Sequence, residues 1–162
     1  MNYFELFNIP VSLKVDANNI KQKFYELSRK YHPDFFSNET EDAQNEALEK
    51  SSLINKAYKT FSNEDETIKY VLQLKNLLIE EEKYQLPSDF LMEMMELNEA
   101  SQEAGSEEIK FQISNLKSQI YEPVKQIMEH YENDTVSEKE LLQVKDYYYK
   151  KKYLNRILEG LP

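Results

Sequence analysis

Pro33 constrains this chain more than any other residue, because it stands where a strong helical pattern stops. Ile20, Phe24, Leu27 and Tyr31 recur at spacings of 4, 3 and 4, the apolar stripe of an amphipathic helix, and Asp16 offers an N-cap in front of it. A proline ring fixes φ and pushes the preceding residue out of the α region, so this helix must end near Tyr31. Helical periodicity resumes near Glu41, where Glu41 and Asp42 suit the positive end of a helix dipole. Ala47, Leu48, Ile54, Ala57, Tyr58 and Phe61 are its expected inward residues. The two helices are therefore antiparallel neighbours joined by roughly nine residues, longer than the 2–8 usual between packed helices. Tyr31-His32-Pro33-Asp34 opens that long connection, and long ordered loops carry function more often than short ones.

The rest of the chain also reads as helix. Only 2 glycines and 5 prolines interrupt it, so few positions break a helix. Residues 2–10 form a short apolar segment closed by Pro10, long enough for one or two turns, and residues 65–75 form another helix through Ile68, Val71, Leu72 and Leu74. A module of about 75 residues has a marginal core. The large aromatics Tyr3, Phe4, Phe7, Phe24, Tyr25, Tyr31, Tyr58 and Phe61 are expected to offset that. Residues 76–87, with Glu80-Glu81-Glu82 and Leu86-Pro87, are a linker or packed edge. Ser88 then caps a helix that ends at Gly105 as its C-terminal glycine. Ser106 opens a second helix along Ile109, Ile113, Leu116, Ile120, Ile127 and Tyr131, with Pro123 and Val124 between, which Pro123 should kink. Ser137 and Glu140 make a capping box for a third, which runs almost to the end. The expectation is an all-α chain: a first domain over 1–75, the edge over 76–87, and an antiparallel three-helix bundle over 88–162.

Composition excludes several kinds of chemistry. Without cysteine there is no disulfide, thiolate metal site or cluster ligand, and two histidines, His32 and His130, cannot build a histidine-rich metal centre. No apolar run approaches the ~20 residues of a membrane span, and the first residues lack the pattern of a leader peptide, so a soluble cytoplasmic protein is expected. The net charge of −10 is uneven: residues 1–75 hold 10 basic against 12 acidic side chains, residues 76–162 hold 10 against 18. So acidic a chain repels phosphate backbones, and nucleic acid is a poor first choice of partner. The basic exception is the helix before Pro33, where the face opposite the apolar stripe is expected to carry Lys21, Lys23, Arg29 and Lys30 against a single acid, Glu26.

His32-Pro33-Asp34 has no partners for a metal site, and no nucleophile or pocket that would make it a catalytic dyad. Its setting gives it meaning: a basic helix ending in tyrosine before it, and a second helix carrying Ile54-Asn55-Lys56-Ala57-Tyr58 after it. With Tyr3-Phe4 at the start, this arrangement resembles a J-domain, the module by which co-chaperones engage DnaK-type, ATP-driven chaperones. The resemblance covers roughly residues 1–75. It implies that His32, Pro33 and Asp34 trigger the partner's ATP hydrolysis while Lys21, Lys23, Arg29 and Lys30 dock on an acidic surface. Phe35 departs from the pattern, which commonly has lysine there.

A second stretch is the methionine-rich run from Leu86 to Glu99. At 100° per residue, Phe90, Met94, Leu97 and Ser101 make one face, sufficient for a bundle core. Leu91, Met92, Met95, Glu96, Glu99 and Glu103 make another, which either packs on the first module or binds a protein, a use to which adaptable methionine suits. Asp89-Phe90-Leu91-Met92-Glu93 followed by Met95-Glu96-Leu97, placed after a J-domain, is similar to the HscB (Jac-type) co-chaperones of iron–sulfur cluster assembly. That resemblance spans nearly the whole chain. It implies an HscA-like chaperone partner and an IscU-like scaffold bound by Leu91, Met92, Met95, Glu96, Glu99 and Glu103, with Tyr153 from the last helix. Met95 and Tyr153 stand where leucine and phenylalanine are usual; Asn98 and Ala100 stand where charge is common. The resemblance implies a non-enzymatic adaptor without cofactor. Two other readings are a J-protein with a different client and a nucleic-acid-binding helical protein. The latter would stack bases on Tyr147-Tyr148-Tyr149-Lys150-Lys151-Lys152-Tyr153, although a bundle helix whose tyrosines bury their rings and keep their hydroxyls wet is the better explanation of that run in so acidic a chain.

Overall fold

The computed structural model describes residues 1–161, which are helical with no strand among them. The chain divides into two compact units, Met1–Val71 and Leu72–Pro162.

In the first unit, Asn2 and Glu5 form a capping box for the short helix α1 (Tyr3–Leu6). This sets Phe4 and Phe7 against Phe61, with ring centroids 5.0 and 5.3 Å apart. Tyr3 stacks on Tyr70 at 4.4 Å and donates its backbone N–H to the Tyr70 hydroxyl at 2.9 Å. Asp16 caps α2 (Ala17–Tyr31), accepting the Asn18 N–H, and Thr40 caps α3 (Glu41–Phe61), accepting that of Ala43. Phe24 stacks on Tyr58 at 4.1 Å while Tyr31, two turns later in α2, lies under Lys50, earlier in α3. That reversed pairing makes the two helices an antiparallel hairpin. Two expected core residues point elsewhere. Leu48 is 59% exposed and Tyr25 is exposed as well. Each follows a residue of the apolar line, Ala47 or Phe24, by one position, and 100° of rotation carries it off the buried stripe. Next is α4 (Glu64–Leu74), inside which the division between the units falls.

The second unit contains α5 (Ser88–Glu103), α6 (Ser106–Tyr121), a 3-10 turn over Glu122–Val124, α7 (Lys125–Glu129) and α8 (Glu138–Glu159). Phe90, Met94, Leu97, Ile109, Ile113 and Leu154 form one buried cluster at the centre of the three-helix bundle. The Ser137–Glu140 capping box is present on α8. Three local expectations change. Pro87, not Ser88, occupies the N-cap position of α5, and Ser88 is already helical because a proline conformation leads into the first turn without a side-chain cap. Gly105 is not a left-handed C-terminal glycine: Ala104 ends α5 in extended backbone, and Gly105, at φ −70°, is the N-cap of α6. Pro123 interrupts the second helix with a 3-10 turn that runs directly into α7. Val124 keeps its place in the buried seam, but the tighter turn advances the register after it, so Met128 is buried and Ile127 is left half-buried.

Residues before α5 are tied down by α8. Glu82 accepts from Lys145 at 3.1 Å and from the Tyr149 hydroxyl at 2.8 Å. Tyr84 stacks on Tyr149 at 4.4 Å and donates to Asp146 at 2.8 Å. Burial pushes the Glu82 carboxyl up, but the bonds from Tyr149 and Lys145 and the lysine's charge outweigh it and hold it below the usual carboxylate value. Burial, then the neighbouring carboxylates, push both phenols well above theirs.

Candidate functional site

The geometry after α2 begins with Pro33. It holds His32 in extended backbone (φ −62°, ψ 129°) and opens a 3-10 turn over Pro33–Phe36, whose Phe35 N–H donates to the His32 carbonyl at 3.0 Å. The Asp34 N–H donates to His32 Nδ1 at 3.2 Å. In the neutral ring an accepting Nδ1 carries no proton, which leaves the N–H on Nε2. The Asp34 carboxylate lies 3.6 Å from that same Nδ1 and gains no donor from it. It is 88% exposed, and no other cation among the described residues pairs with it. Gln44 of α3 fastens the return of the loop, donating from Nε2 to the carbonyls of Ser37 and Glu39, each at 3.1 Å. Sequence reading missed this clamp, since a glutamine in a first helical turn has no signature of its own.

The four cations of α2 do not share one face. Arg29 lines a groove of about 540 Å³ with Tyr25, Ser28, His32, Asp34 and Phe35. Lys21 lies two turns back on that flank, at the i, i+4, i+8 spacing Lys21, Tyr25, Arg29. Lys23 turns the other way and donates to the Asn8 carbonyl at 3.5 Å, and Lys30 covers the Tyr31 ring at 5.3 Å. The expectation of one basic face is thus corrected: the 3.6-residue turn carries Lys23 and Lys30 round to the opposite flank. Exposed Tyr25 and Phe35 bring an apolar element to the groove that sequence reading did not assign to it.

On α5, Met92 and Met95 are 64% and 63% exposed, Leu91 is half-buried, and Glu96, Glu99 and Glu103 are exposed. Tyr153 of α8 packs edge-on against Phe90, 6.1 Å between centroids, and remains half-buried. It lines a groove of about 430 Å³ with Asn98, Ser101, Arg156 and Ile157. Leu91, Met95 and Asn98 stand at i, i+4, i+7, so the flank of α5 that carries Leu91 and Met95 borders the groove holding Tyr153. Glu96 and Glu103 lie further round the helix, beyond Met92 and Glu99. The surface is apolar with a carboxylate margin, suited to a protein partner that presents apolar and basic side chains.

The Tyr/Lys run of α8 has no stacking platform. Tyr147 and Tyr148 are buried, Tyr149 is covered by Tyr84, and Lys150 pairs with Asp146 at 2.9 Å. No group of metal-binding side chains occurs among the described residues, and none of their helices is long and apolar enough to cross a membrane.

Residues 2–70 match the DnaJ domain family, and residues 86–161 match the family described as the HSCB C-terminal oligomerisation domain. A co-chaperone protein HscB homolog of Acinetobacter baumannii is 32% identical over 161 residues, covering 99% of this chain and 88% of that protein. The iron-sulfur cluster co-chaperone protein HscB of Mus musculus is 32% identical over 152 residues, 91% of this chain and 64% of its own. The solved structure of human co-chaperone protein HscB superposes with a TM-score of 0.80 at 27% identity, over 98% of this chain and 79% of that one. Chaperone HscB from Vibrio cholerae gives 0.73 at 23% identity, over 98% and 94%.

Proposed function

The chain belongs to the HscB family of J-domain co-chaperones, and from that premise we propose that it acts in the cytoplasm as a two-ended, non-enzymatic adaptor. Its His32-Pro33-Asp34 turn stimulates ATP hydrolysis by an HscA- or DnaK-type chaperone. Leu91, Met92, Met95, Glu96, Glu99, Glu103 and Tyr153 bind an IscU-like iron–sulfur scaffold and bring it to that chaperone. The observation that carries the first half is the Asp34 carboxylate, exposed on a turn whose nearest ring nitrogen is already an acceptor. Such a group is open to an arginine of the partner, a charge-assisted contact worth roughly 1.5–3 kcal/mol. Lys21 and Arg29 add steering on the same flank, and the exposed rings of Tyr25 and Phe35 add contact area. Linking the two ends in one chain raises the effective concentration of scaffold at the chaperone without any new contact.

A single-turnover ATPase measurement on an HscA-type chaperone tests both halves. The full-length chain accelerates hydrolysis, an IscU-type scaffold adds to that acceleration, and Asp34→Asn removes both effects while the helical circular dichroism stays unchanged. Undiminished stimulation by Asp34→Asn would sink the assigned trigger. A scaffold that neither binds nor adds to the stimulation would sink the assigned cargo.

A further inference from the structure

Resting on the reading that the outer face of α5 docks a scaffold protein, we propose that Met92 and Met95 are a peroxide-responsive modification site that weakens this docking when oxidised. The α5 run Met92-Glu93-Met94-Met95 sorts its three thioethers by exposure: Met92 is 64% and Met95 63% exposed, while Met94 between them is 0% exposed in the bundle core. Met128 is buried as well, at 1%. Oxidant therefore reaches two sulfurs on the docking face and neither of the two that hold the bundle together.

The chemistry balances with one co-reactant. A hydroperoxide delivers one oxygen to the thioether: the O–O bond breaks, an S–O bond forms, sulfur loses two electrons, and hydrogen peroxide leaves as water. The acids of α5 (Asp89, Glu93, Glu96, Glu99 and Glu103), with no base on the same helix, select the oxidant class. Their field repels anionic oxidants and leaves a neutral peroxide unhindered. The chain has no cysteine to react first. A sulfoxide replaces an apolar contact atom by a strong dipole, which loses the benefit of burial at an interface and adds a desolvation cost. Because both side chains point outward, the three-helix core is untouched and reduction by methionine sulfoxide reductases restores the original surface.

The test uses the full-length chain with hydrogen peroxide as probe. Peptide mass spectrometry is expected to find oxygen on Met92 and Met95, and on exposed Met1, well before Met94 or Met128. Calorimetric binding to an IscU-type scaffold should weaken about tenfold after this treatment and recover on incubation with reductases of both sulfoxide epimers. The Met92→Leu/Met95→Leu variant should show the same scaffold affinity before and after peroxide treatment, whatever that affinity is. Prior complex formation should protect both residues. Oxidation of Met94 or Met128 as fast as Met92 and Met95 would overturn the proposal. So would unchanged affinity of the oxidised chain when Leu91→Ala/Met92→Ala/Met95→Ala weakens binding strongly, a result that leaves the docking reading standing. If the untreated chain binds no scaffold, the docking reading falls, and the proposed regulation falls with it.

Discussion

In the turn after α2, a single carboxylate stands clear of any donor, and backbone geometry sets its position: Pro33 fixes the entry, the His32 ring accepts the Asp34 N–H, and Gln44 holds the exit. On α5, two thioethers, a leucine and three carboxylates share an outward face whose members are spaced only by helical rotation. On the proposed reading, the first surface concentrates recognition in one atom pair and the second spreads it over area. They should therefore respond differently to change. A point contact fails at a single substitution, whereas a spread contact loses strength in steps.

The largest effect should come from the turn. Asp34→Glu keeps the charge but moves the carboxylate by one methylene, and stimulation of an HscA-type ATPase should fall about a hundredfold, close to the loss for Asp34→Ala. Retention of half the activity by Asp34→Glu would show that charge, and not position, is what the turn supplies. On α5, Met95→Ala alone should weaken scaffold binding severalfold, and Leu91→Ala/Met92→Ala/Met95→Ala about fiftyfold, by calorimetry. A single change as damaging as the triple would make α5 a point contact too.

A smaller effect, on stability alone, is expected at the clamp before α5. Lys145→Met leaves the largely buried Glu82 carboxylate with the Tyr149 hydroxyl as its remaining side-chain donor and should cost about 2 kcal/mol in urea unfolding. The pH dependence follows from the shifts. With its folded value depressed, Glu82 contributes fully above its ordinary carboxyl value and loses that contribution as pH falls through the folded one. Tyr84 and Tyr149, raised in the folded state, contribute fully below about 10 and lose it as pH climbs towards their folded values. The advantage of wild type over Lys145→Met should therefore be largest near pH 7 and shrink towards pH 3, by thermal melts over that range. The smallest effect is Gln44→Ala, which frees the loop exit without touching Asp34 and should lower stimulation about twofold.

Periodicity and proline chemistry made the helices legible before any coordinates. The break at Pro33, the caps at Asp16 and Ser137, and the buried Phe90, Met94, Leu97, Ile109 and Ile113 are local or strictly periodic, so residue types alone carry them. What stayed hidden depends on where distant segments meet. Gln44 becomes a clamp only because the loop returns beside it, and Glu82 becomes a buried ligand of Lys145 only because residues near it cross α8. Angular detail was also lost where the seam was read too broadly. Charge alone groups Lys23 and Lys30 with Lys21 and Arg29, though helical rotation puts them on another flank, and periodicity alone sets Leu48 inward beside Ala47. Of the candidate sites, the residues could be named from motif resemblance, but the direction of each side chain needed the backbone.

The ring of His32 faces two ways, and its two nitrogens can be replaced one at a time. Nδ1 is the acceptor that caps the turn, and in the neutral ring Nε2 is the donor. Asparagine has an amide oxygen close to the place of Nδ1 and nothing beyond it; glutamine reaches the place of Nε2 but leaves the inner acceptor missing. His32→Asn is thus a chain with the turn intact and its Nε2 donor erased, and His32→Gln is the converse. The pair splits one side chain into an architectural half and a signalling half, each separately readable by amide exchange at Asp34 and by the partner's rate of hydrolysis.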